Sequence, residues 1–149
     1  MIRSVLLAFI IVFVASCELF GNEADVLDFE RAKVKWEQAR IADYSYDVWI
    51  ACFCLVSEQL PARVVVRGDS IVSATRDRDG EPVDSSQVRF IPTVPELFDV
   101  VEDALADADS IDVEYDSRLG FPEEVAIDYI KEAADDEIWY TISNVEIVD

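Results

Sequence analysis

Apolar and polar positions along the chain alternate between two periods. Phe29, Ala32, Trp36 and Ala39 recur at helical spacing, and Asp25 or Asp28 can cap the helix they define, which is predicted to run to about Ala42. From Tyr44 to Cys54 the period becomes two. Tyr44, Tyr46, Val48, Ile50, Cys52 and Cys54 take one face of a strand, and Ser45, Asp47, Trp49, Ala51 and Phe53 take the other. Pro61 opens a second strand with Val64 and Val66 on one face. Gly68-Asp69 is a two-residue turn into a third strand, Ser70 to Arg76. Residues 77–87 are polar and read as a loop.

The pattern then repeats. Thr93-Val94-Pro95-Glu96 has the form of a capping box with Pro near the first helical position. The helix behind it carries Leu97, Val101, Leu105 and Ala108 on one side and Asp99, Glu102, Asp103 and Asp107 on the other. Ile111, Val113 and Tyr115 alternate with acids in a fourth strand. Leu119 to Pro122 is a turn. Val125, Ile127 and Tyr129 mark a fifth strand, and Ile138 to about Val148 a sixth. The order is therefore αβββ-αβββ. It predicts an α+β fold: an antiparallel sheet of about six strands with both helices on one face. Pro61-x-x-Val64-x-Val66 and Pro122-x-x-Val125-x-Ile127 fall at the same place in each half. Internal duplication would explain this, and so would chance recurrence of a common antiparallel order.

The N-terminus follows neither period. Arg3 precedes an unbroken apolar run from Val5 to Ala15, too short for a spanning helix of roughly 20 residues and suited to a secretory signal. The run ends in Val14-Ala15-Ser16-Cys17, which resembles the lipobox of bacterial lipoproteins. That resemblance implies a signal peptide over residues 1–16 and acylation of Cys17. It also implies a lipidated N-terminus and tether over 17–24, ahead of one domain over 25–149. The membrane is then a partner through the lipid, and the location is the bacterial cell envelope. Asp is absent immediately after Cys17. Its presence there is the inner-membrane retention signal in enteric bacteria, so the resemblance favours an outer membrane facing the periplasm if the cell has one, and otherwise the exterior of the cell membrane.

Composition removes several functions. Thirty-two acids against twelve bases give a formal charge of −20, which opposes phosphate binding and so nucleic acid. There is no His, which excludes imidazole catalysis and His-ligated zinc. No catalytic motif stands out and no cofactor is implied.

Three groups of residues remain as candidates for chemistry. Cys52-x-Cys54 reads as a structural disulfide, a redox pair or two buried thiols. Asp112, Glu114 and Asp116, with Asp128 and Asp135 to Glu137 nearby, could suit Ca²⁺, or could be a solvated face. Thr75-x-Asp77-x-Asp79-Gly80 lacks the first carboxylate and the final Glu of a calcium loop. Arg67-Gly68-Asp69 is explained in full by its turn. Trp49 and Phe53, opposite the cysteines, form an exposed aromatic partner patch if their face is uncovered.

Trp36, Tyr44-x-Tyr46, Cys52-x-Cys54, Leu97-Phe98 and Tyr115-Asp116-x-x-x-Gly120-Phe121-Pro122-x-x-Val125-x-Ile127-Asp128 together resemble an uncharacterised family of bacterial lipoprotein and secreted domains. The resemblance spans about Phe29 to Asn144 and implies a common fold without a known activity. The expectation is a lipid-anchored extracytoplasmic module that binds an envelope protein or ligand, or has a structural role, without catalysis. Thiol-redox work by Cys52 and Cys54, or weak calcium-dependent binding, are the alternatives.

Overall fold

The computed structural model describes residues 18–148. Cys17 and the segment read as a signal peptide lie outside them. Helix α1 spans Glu18–Ala39, followed by strand β1 (Tyr44–Ala51), a 3-10 turn (Leu55–Gln59), β2 (Ala62–Arg67) and β3 (Ser70–Arg76). A four-residue helix α2 (Ser85–Val88) precedes α3 (Val94–Asp107), β4 (Ser110–Tyr115), β5 (Pro122–Asp128) and β6 (Glu137–Ile147). The six strands form one sheet in the order β3-β2-β1-β6-β5-β4, and every neighbouring pair is antiparallel. No described helix is long and apolar enough to cross a membrane.

The registers fix which residues share a face. Tyr44, Tyr46 and Val48 stand opposite Val66, Val64 and Ala62 of β2. Val48 and Ile50 stand opposite Ile142 and Tyr140 of β6. Tyr140 and Ile138 oppose Val125 and Ile127, which oppose Val113 and Ile111. This continuous face is buried at its centre and half-buried at Ile138, Tyr140, Ile111 and Val113. Phe29, Ala32 and Trp36 of α1 and Leu97, Phe98, Val101 and Ala104 of α3 belong to the same core. Phe29 meets Phe98 edge-on at 6.1 Å, and Trp36 meets Tyr44 at 5.3 Å and Phe121 at 6.3 Å. Edge-to-face pairs add about 0.5–1.5 kcal/mol beyond their buried area.

Two phenols tie the central strand to the start of α3. Tyr46 donates its hydroxyl to the Pro92 carbonyl at 2.6 Å, and the Tyr44 hydroxyl accepts the Val94 N–H at 3.0 Å. Between these contacts Thr93 and Glu96 close the predicted capping box. The tyrosine side chains are fully buried and stack on each other at 5.8 Å.

The structure departs from the sequence reading in several places. The short helix α2 begins within the predicted loop 77–87, and Tyr129 lies beyond the end of β5. The helix α1 begins at Glu18, so the segment 18–24, expected as a tether, is helical. It ends at Ala39 because Arg40 takes a left-handed conformation (φ 52°) and turns the chain towards Ile41 and β1, which leaves Ala39 exposed. Strand β1 stops at Ala51, so Cys52, Phe53 and Cys54 lie beyond it. Finally, the shared order of the halves does not extend to their geometry. Carrying β1-β2-β3 onto β4-β5-β6 in this sheet reverses every strand direction while keeping the left-to-right order. That rotation exchanges the sheet's two faces. Yet Val64 and Val66 share one face with Val125 and Ile127.

The Asp116–Gly120 turn locks α1 to the sheet. The Gly120 N–H donates to the Asp116 carbonyl at 2.9 Å, with Gly120 at φ +83°. A Cβ there would stand 2.5 Å from the Ala32 carbonyl oxygen and 3.0 Å from Lys35 Cβ. Gly120→Ala combines left-handed strain with a backbone clash and is expected to cost about 2–4 kcal/mol. A thermal melt within a degree of the parent would contradict this account of the turn.

The buried phenols also set an alkaline limit. Burial pushes Tyr44 up to about 12 and Tyr46 further in the same direction. Unfolded tyrosines ionise near pH 10. Between those values the folded chain binds more protons than the unfolded one, so stability falls as pH rises. The slope is about 1.4 kcal/mol per pH unit for each such tyrosine. Thermal melts from pH 9 to 12 should therefore drop steeply above pH 10, and less steeply in Tyr46→Phe. Equal slopes in parent and variant would refute it.

Candidate functional site

The sheet face opposite the buried one is divided into two territories. On the β2 side, Arg63 gathers the polar groups around it. Its guanidinium donates to Asp47 at 3.0 Å, Ser45 Oγ at 2.8 Å, Glu146 at 2.6 Å and the Asn144 carbonyl at 2.9 Å. The Asn144 amide donates back to Asp47 at 2.7 Å. Asn144 sits at φ 51°, where an extra β6 residue bulges between the Ser45–Glu146 and Asp47–Ser143 pairs. One guanidinium pairs with both carboxylates here, and Ser45 is buried beneath it.

Towards β4 the carboxylates of the same face have no such partner. One row across the strands reads Trp49, Thr141, Glu124, Glu114, and the next reads Ala51, Trp139, Ala126, Asp112. The small side chains of Ala126 and Thr141 leave a trough of about 240 Å³ between the tryptophans and the three carboxylates. Trp49 and Trp139 are nearly half exposed, at 46% and 47%. Asp112, Glu114 and Glu124 make no ion pair among the described residues.

A larger groove of about 520 Å³ lies at the end of the sheet where β1 stops. Cys52 and Cys54 are joined by a disulfide, with Cα atoms 5.2 Å apart. The chain bends here, which brings the two residues closer than an extended strand would. Phe53, between them, is thrown outward and is 85% exposed. Leu55, Phe90, Tyr129 and Tyr140 line the groove with it. Burial pushes Tyr140 up to about 12, so its phenol is a neutral wall at ordinary pH. Arg89 lies over the Phe90 ring at 4.6 Å from its centroid.

The predicted aromatic patch is thus split. Trp49 faces the trough and Phe53 the groove, because the alternation that would align them ends at Ala51. The trough's second tryptophan, Trp139, lies diagonally across from Trp49. Sequence reading missed this pair because nothing local shows that β1 neighbours β6. The predicted acidic cluster is also redrawn. Asp116 turns its carboxylate to the Arg118 and Leu119 N–H groups in its own turn, and Glu124 takes its place beside Asp112 and Glu114. No group of three or more Asp, Glu, Cys or His side chains is arranged to hold a metal ion among the described residues.

A family model described as a family of unknown function (DUF6174) matches residues 28–147, and the chain belongs to that family. No curated protein and no solved structure matches the chain.

Proposed function

We propose that this DUF6174 chain is a lipid-anchored, extracytoplasmic binding module without catalysis, and that its ligand surface is the groove beside the Cys52–Cys54 link. The observation that carries the reading is the exposure of Phe53, Leu55 and Phe90, at 85%, 69% and 51%, around one concave space of about 520 Å³. Large apolar side chains gathered at a cavity mark interaction sites, and they cost solubility unless a ligand uses them. The disulfide acts as a structural staple that holds Phe53 outward. The Val14-Ala15-Ser16-Cys17 pattern supports acylation of Cys17 and a place at the bacterial envelope surface. The −20 charge keeps the module off nucleic acid.

The groove is tested with N-phenyl-1-naphthylamine, a neutral dye that brightens in apolar surroundings, titrated into the domain from Glu18 to Asp149. Phe53→Ser should weaken dye binding about tenfold, the worth of one phenyl contact. The thermal melt should stay unchanged, since Phe53 contributes little to the core. Equal dye binding by parent and variant would place the ligand surface elsewhere.

Anchoring is tested separately. Cells making Cys17→Ser should accumulate unprocessed protein that takes up no radioactive palmitate. Labelling equal to the parent's would remove Cys17 as the attachment point.

A further inference from the structure

The trough on the open sheet face is independent of the groove. It holds three carboxylates and two tryptophans and no base. Glu114 and Glu124 are directly opposite in register. Like charges in that position destabilise a sheet pair. Asp112 stands one row away on the same strand face as Glu114. The neighbouring half of this face shows the alternative, since Arg63 there engages both Asp47 and Glu146. Beside the carboxylates, two tryptophans present half their surface to solvent over a floor of Ala126 and Thr141. Tryptophan faces attract cations, and carboxylates pair with them.

We propose that the trough binds an extended, basic segment of a protein partner, with Lys or Arg side chains placed at alternate residues. Charge complementarity selects the sign, and the strand grid selects the shape. Trp49 on β1 and Glu114 on β4 are three strand spacings apart, about 14 Å. One small cation cannot reach both ends. An extended chain lying across the strands advances about 7 Å for every two residues. It can set one basic side chain between Trp49 and Trp139 and the next over Glu124 and Glu114. The −20 charge of the chain speeds the encounter, and the trough supplies the docking position.

The test uses the full chain in nanodiscs of zwitterionic phosphatidylcholine, with empty nanodiscs as the blank. The probe is a fluorescent (Lys-Thr)5 amide followed by anisotropy. One variant carries Asp112→Asn, Glu114→Gln and Glu124→Gln. A second removes the same charge elsewhere through Asp77→Asn, Asp107→Asn and Glu132→Gln, all exposed. A third carries Trp49→Thr, a residue suited to a strand. The trough-acid variant should bind the peptide at least tenfold more weakly, the remote-acid variant within twofold of the parent, and Trp49→Thr about fivefold more weakly. All three should melt no lower than the parent by more than a few degrees, and the trough-acid variant should melt higher because a repulsion is gone. Equal losses in the two charge-matched variants would show unspecific attraction and overturn the proposal. So would an unchanged Trp49→Thr, absence of binding, or displacement of the peptide by tetramethylammonium or spermine at concentrations no higher than the peptide's own Kd.

Discussion

The hydroxyls of Tyr44 and Tyr46 reach from the middle of the sheet to the loop that starts α3. Each ends on a backbone group that the helix and its entry would otherwise leave unpaired. Most of the architecture follows from that link. The helix α3 is placed over the sheet by its first turn, with Thr93 and Glu96 completing the cap between the two phenol contacts. Trp36 of α1 then packs edge-on against Tyr44, and Phe29 against Phe98. Burying a phenol without a partner costs about 1–3 kcal/mol. The two tyrosines therefore make sense in the core only while Pro92 and Val94 are present to meet them.

Much of this was legible in the sequence because it is local. Alternation from Tyr44 to Ile50, the Gly68-Asp69 turn, the Thr93–Glu96 cap and the alternating acids of β4 each depend on residues a few positions apart. What could not be read depends on residues far apart. The pairing of β1 with β6 joins the first strand to the last and creates both the central core contact between Val48 and Ile142 and the diagonal pair Trp49 and Trp139. The end of β1 was misplaced for a different reason. Cys52 and Cys54 continue the apolar alternation, but their disulfide belongs to a bend, so Phe53 left the face that Trp49 occupies. The helical state of Glu18 to Ala24 was not legible because the segment has no apolar stripe to announce a helix, and α1 simply continues through it.

The open face shows two responses to acidic residues on one sheet. Around Arg63, bonds to Asp47 and Glu146 organise β1, β2 and the β6 bulge into a closed polar surface. Around Trp49 and Trp139, carboxylates remain without such bonds, and Glu114 and Glu124 stand directly opposite each other at a cost in repulsion. One sheet face thus pairs its carboxylates in one half and leaves them bare a few ångströms away in the other.

With Cys17 acylated, the early start of α1 would set how the domain is held above a membrane. From Glu23 to Asp28 the helix is exposed, and Phe29 is buried in the core, while the helix itself begins at Glu18, about 16 Å along its axis before Phe29. With acyl chains on Cys17, that segment would work as a strut and not as a leash. A flexible tether of the same length lets a domain tumble and sweep every angle, whereas a helix passes the tilt of its root directly to its load. Stand-off height and orientation would then be built into the fold, and partners would be met by lateral diffusion of an already oriented head. Lengthening such a strut by two residues would do little to its reach but would rotate the head by more than half a turn.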